Sequence, residues 1–118
     1  MLRASATTTE TEVDITAING DAAAAAVGVE FGPELMAFAE AVARREPQEL
    51  EHSRNTLRIN AVTDVLVDAA GVAANFQRMV RIADSMGIPV DDTESDLGKS
   101  VRTELDLARF ASAQNTFG

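Results

Sequence analysis

Apolar and polar residues fall into helical periods from Pro33 onward and into none before it. Leu35, Phe38, Ala39 and Val42 lie at i, i+3, i+4 and i+7, the stripe of an amphipathic helix. Pro33 suits its first turn, Glu34 the positive end of its dipole, and Arg44 and Arg45 the negative end. Pro47 stops that helix and opens a second, which runs to about Ala61. Leu50, Leu57 and Ala61 share one of its faces, and Glu49, Glu51, Arg54 and Arg58 lie outside. The third predicted helix is the longest, TDVLVDAAGVAANFQRMVRIADSM from Thr63 to about Met86. Thr63 reads as its N-cap, Asp64 sits in its first turn, and Gly87-Ile88-Pro89 is the stop. Through Ala74 this helix is apolar nearly all round, so it is expected at the centre of the fold, covered on most sides. A fourth helix is expected from Ser95 or Asp96 to Ala111, burying Leu97, Val101, Leu105, Ala108 and Phe110, with Gly98 weakening its first turn. The fold class is therefore all-α: a bundle of three to four helices around a long central helix, about 63–86.

Residues 1–30 differ in kind and read as a flexible acidic and Ala-rich arm preceding a helical domain over 31–118. Met1 to Asp14 has little to bury and reads as disordered. Val13, Ile15 and Ile18 suit a brief strand or a packed arm before the turn signal Asn19-Gly20-Asp21. Ala22 to Ala26 favours helix by propensity, but so short a helix is marginal without packing. Asp91 to Glu94 reads as an acidic loop and Asn115 to Gly118 as a loose tail. No internal repeat is present.

Composition narrows the partners. With 118 residues the chain is one domain at most, and its 46% hydrophobic content against 4% aromatic implies close helix packing through small side chains. The net charge of −9 argues against nucleic acid and anionic membrane, both of which call for clustered Lys and Arg. No cysteine is present, which removes disulfides, thiolate catalysis and Cys-based metal sites. No apolar run follows Arg3, so a signal peptide is not expected, and Ala22 to Val29 is too short to span a bilayer. The expectation is a soluble cytoplasmic protein.

Candidate chemistry concentrates on the third helix. Asp64, Asp68, Gly71, Asn75 and Arg78 recur at spacings of 4, 3, 4 and 3 and so share one side. Asp68, Asn75 and Arg78 are candidate ligand-binding residues, a carboxylate, an amide and a guanidinium in a row. The same line equally suits a hydrogen-bonded seam against another helix or subunit, or a solvated edge. Gly71 with Ala70 and Ala74 suits close helix contact at an interface. His52, the only histidine, is the candidate general base, flanked by Glu49 and Glu51. Its position on the polar side of the second helix equally suits a solvated residue, and no second His completes a metal site. Gly98-Lys99-Ser100 lacks the first glycine of a phosphate-binding loop, since Thr stands at position 93. Arg78 and Arg81 with Asp84 read as intrahelical pairs, and Met79 and Met86 as core fillers. No metal and no cofactor are expected.

Leu35-Met36-Ala37-Phe38-Ala39-Glu40, the run Val67 to Asp84, and Gly87-Ile88-Pro89 together resemble the C-terminal half of the alkylhydroperoxidase-like, carboxymuconolactone-decarboxylase-like helical proteins. Arg109 to Thr116 is similar to the end of some members, so the resemblance spans about Pro33 to Thr116. It implies an all-α half-fold that assembles into homo-oligomers. The family's peroxidases carry a Cys-x-x-Cys pair with a nearby His and Glu upstream of the matched region. This chain has no cysteine, so no catalytic residue carries over and thiol peroxidase chemistry is excluded. The expectation is a non-catalytic helical oligomerisation or interaction protein. The alternative is a cofactor-free decarboxylase-like or isomerase-like enzyme, or a small-molecule binder, with a polar site at a subunit interface.

Overall fold

The computed structural model describes residues 8–89 and 94–114, all of them in helices, turns and irregular segments with no strand among them. The disorder expected as far as Thr7, the acidic loop at Asp91 to Thr93 and the tail from Asn115 lie outside the described residues. The α-helices are α1 (Ala22–Ala25), α2 (Gly32–Arg44), α3 (Pro47–Asn60), α4 (Thr63–Met86) and α5 (Asp96–Glu104). The chain divides into two units, Met1–Arg81 and Ile82–Gly118.

The first unit is built on the α2–α3 hairpin. α2 ends where Arg45 adopts φ +61° and returns its N–H to the Ala41 carbonyl, and Pro47 then starts α3. Phe38 and Ala41 of α2 are buried, as are Ser53 and Leu57 of α3, and Leu57 is fully enclosed at 0% exposure. The Ser53 hydroxyl donates to the Leu50 carbonyl at 3.2 Å, which satisfies the one buried polar side chain among them. At the open end, Asn60 Nδ2 donates to Glu34 Oε1 at 2.9 Å and ties the last turn of α3 to the first of α2.

The segment before α2 is a packed arm over its described part, and it contains no strand. Ile15–Asn19 forms a 3-10 turn capped by the Asp14 carboxylate, which accepts from the Thr16 N–H at 2.9 Å and the Thr16 hydroxyl at 2.6 Å. Asp21 caps α1 by accepting from the backbone of Ala23 and Ala24. Ile15, Ala24 and Ala25 are buried, and α1 packs on both the 3-10 turn and α2. Two glycines permit this. A Cβ at Gly28 would collide with the Glu12 carbonyl oxygen, and one at Gly32 with the Ala25 carbonyl oxygen.

α4 follows Val62, whose carbonyl accepts from Val65 and Leu66, so Thr63 is the first helical residue rather than the cap. The helix is as long as its pattern predicts, but its expected place at a covered centre is not found. No residue of α4 is buried, and Val67, Val72, Phe76, Met79 and Val80 are each more than half exposed. The arm and the hairpin bury their own apolar groups against each other. They leave a helix that is apolar on most sides, shielded only along the edge of Val65, Leu66, Ala69, Ala73 and Gln77 within this unit. Met79 and Met86, expected as core fillers, are 51% and 74% exposed.

In the second unit, α4 stops at Gly87 (φ +61°), with Ile88 N–H returning to the Ala83 carbonyl at 3.1 Å. The Ser95 hydroxyl caps α5 by accepting from Gly98 N–H at 3.1 Å. α5 is shorter than its pattern suggests, because Asp106 takes φ +49°. The chain then continues as 3-10 turns at Leu107–Arg109 and Ala111–Ala113. Leu105 is buried and Val101 half-buried, whereas Leu97, Ala108 and Phe110 are exposed. Arg109 lies over the Phe110 ring at 4.8 Å.

Candidate functional site: the uncovered face of α4

The apolar residues of α4 carry an order finer than an all-round coat. Val65, Ala69, Val72, Phe76 and Met79 follow one another at steps of 4, 3, 4 and 3, and the sequence continues the alternation to Ala83 and Met86. That period of 3.5 is the seam of a coiled coil. Val65 and Ala69 are half-buried, while Val72, Phe76 and Met79 are 57%, 56% and 51% exposed. Beside the seam runs a groove of about 570 Å³ between α2 and α4, with Leu35 and Phe38 on one wall and Val65, Val72 and Phe76 on the other. Asp68 is the one charged residue lining it.

The polar line foreseen on this helix exists but is solvated. Asp64, Asp68, Gly71, Asn75 and Arg78 are all exposed. Arg78 Nη2 donates to Asn75 Oδ1 at 2.9 Å, and Asn75 Nδ2 approaches Met79 Sδ at 3.6 Å. The polar tips are thereby drawn along the helix surface toward the seam. Ala70 and Ala74 lie on the far side from the seam, and Gly71 lies on the polar line with Asn75 and Arg78. All three small residues are exposed, and nothing stands within 4 Å of a Cβ built on Gly71.

His52 is exposed on α3, at the edge of a shallow depression of about 430 Å³ shared with Glu40, Gln48 and Glu49. Glu40 and Glu49 face Arg44 instead, at 2.6 Å and 4.0 Å. His52 makes no hydrogen bond or ion pair among the described residues, so nothing there orients its ring as a general base requires. Among the described residues no three His, Cys, Asp or Glu side chains converge to hold a metal ion, and no helix is long and apolar enough to cross a membrane.

Comparison with family models, with curated proteins and with solved structures returns no match to this chain.

The seam was missed in the sequence because the same residues satisfy two descriptions. A helix that is apolar on most sides hides a 3.5-residue repeat, which the pattern of exposure brings out at Val72, Phe76 and Met79. Counting the 4-3-4-3 alternation across residues 65–86 is the signal that could have found it.

Proposed function

We propose that this chain is a non-catalytic helical protein that completes its core by self-association, using α4 as the contacting element. The observation that carries this reading is a 24-residue helix rich in Ala and Val, with Leu66, Phe76, Met79 and Ile82 among its larger apolar side chains, and with no buried residue. Large apolar side chains left in water oppose folding of the isolated chain, and a helix that buries them makes association and stability one process. The resemblance to half of an alkylhydroperoxidase-like fold supports the same reading, since half of a bundle lacks the helices that would cover its long member. The exposed, unoriented His52 and the absence of cysteine support a binding role over a catalytic one.

Light scattering over a dilution series, with far-ultraviolet circular dichroism in parallel, tests the proposal. The expected result is a mass above the 12.5 kDa of one chain and a melting temperature that rises with concentration. A helical protein of constant monomer mass, with a melting temperature independent of concentration, overturns it.

A further inference from the structure

We infer that the occupant of the α4 seam is the α4 of a second copy, antiparallel to the first, in a register set by Asp68 and Arg78. This rests on the self-association reading above and adds to it the identity, direction and register of the partner helix.

Direction follows from charge. Within residues 63–81 the acids Asp64 and Asp68 lie toward the N-terminus and the bases Arg78 and Arg81 toward the C-terminus. Parallel pairing sets acid beside acid and base beside base. Antiparallel pairing sets each acidic end against a basic one, and the same surface serves both copies, as a two-fold interface requires. The chain as a whole carries −9, so two copies repel at long range. Over the whole of α4, Asp64, Asp68 and Asp84 against Arg78 and Arg81 leave a charge of only −1, so this helix carries little of the chain's repulsion.

Register follows from the seam. Antiparallel helices interleave their apolar layers in two central arrangements here, Val72 opposite Phe76 or Phe76 opposite Met79. In the first, Asp68 lies six residues from the two-fold centre and Arg78 four. The axial mismatch is two residues, about 3 Å at 1.5 Å per residue, which an arginine side chain spans. In the second, Arg78 of one copy falls beside Arg78 of the other, an arrangement of like charges. Asp68 immediately flanks the seam, each chain's Asn75 falls near the other's close to the centre, and the Arg78–Asn75 hydrogen bond of 2.9 Å carries the guanidinium toward that flank. The polar line thus becomes the edge of the interface, where a polar residue specifies alignment.

Charge exchange tests this. D68R alone and R78D alone each place two like-charged pairs across the interface. Each is expected to weaken self-association by about tenfold or more, two pairs each passing from attraction to repulsion. An equimolar mixture of the two variants is expected to recover near-native affinity as a heterodimer, because both crossed pairs are then Arg with Asp. D68R also reduces the chain's net negative charge, so weakening in that variant runs opposite to the long-range effect. Circular dichroism of each variant shows whether it is folded, and the double variant D68R/R78D, which restores both pairs within a homodimer, serves if a single variant is not. A self-associating wild type whose variants are unweakened, or whose mixture and double variant both fail to recover, overturns the register while leaving self-association standing. A wild type that is monomeric at all concentrations overturns both.

Discussion

Replacing Phe76 by alanine separates the seam from every other exposed apolar residue of α4. An aromatic side chain presents roughly 200 Å², and Phe76 is 56% exposed. About 110 Å² of it is thus free to be covered, of which alanine forfeits about 80 Å². At about 25 cal/mol per Å² the loss is about 2 kcal/mol per copy. A two-fold interface uses the residue twice, so the dissociation constant should rise by about 1000-fold, corresponding to about 4 kcal/mol. Alanine is the better helix former, which offsets part of what the single chain loses where Phe76 touches the groove wall. Val67→Ala is the control, because Val67 is 63% exposed yet projects from the side of α4 opposite the seam. Sedimentation or light scattering across a dilution series, with helical content followed on the same samples, provides the assay. A Phe76→Ala dissociation constant within threefold of wild type, or an equal shift for Val67→Ala, refutes the assignment of the seam.

Leu57→Ala should lower unfolding free energy by about 2–5 kcal/mol in urea titration, because the side chain is fully buried. Gly32→Ala should lower the melting temperature and open the segment before α2 to proteolysis, since its Cβ meets the Ala25 carbonyl oxygen. Gly71→Leu should stabilise the chain by about 0.8–1 kcal/mol through helix propensity, with the association constant unchanged. The space around Gly71 is open and it lies on the polar line rather than among the seam residues, so a dissociated or unfolded variant would show instead that small residues make the contact.

The fold class and the longest helix were legible in the sequence because capping and stop signals are local. Pro33, Pro47 and Gly87 act within a turn of their own position, and the elements they delimit are found at those places. Burial was less legible. Apolarity nearly all round from Thr63 to Ala74 states that the helix is to be covered, but not whether the same chain supplies the cover. α5 was read too long because Leu105 and Ala108 continue a helical stripe, whereas Asp106 in the left-handed region ends it. Asp is among the few non-glycine types that tolerate that region, but it is equally common inside helices and in ordinary loops, so its presence alone does not mark the turn. The packed arm rests on two glycines whose spacing carries no periodic signal. Of the candidate residues, Asp68, Asn75 and Arg78 do lie along one helix flank. His52 gathers no partner among the described residues, because Arg44 engages the carboxylates of Glu40 and Glu49.

The collisions foreseen at Gly28 and Gly32 involve carbonyl oxygens, which every residue type possesses. Steric conflicts between side chains can be relieved by shortening the neighbour, so they have second-site suppressors. A conflict with a main-chain oxygen has no such remedy, because no substitution at Glu12 or Ala25 removes the atom. In a saturation library selected for folding, these two positions should therefore return glycine alone, independent of the genetic background. Gly71, surrounded by open space, should drift freely.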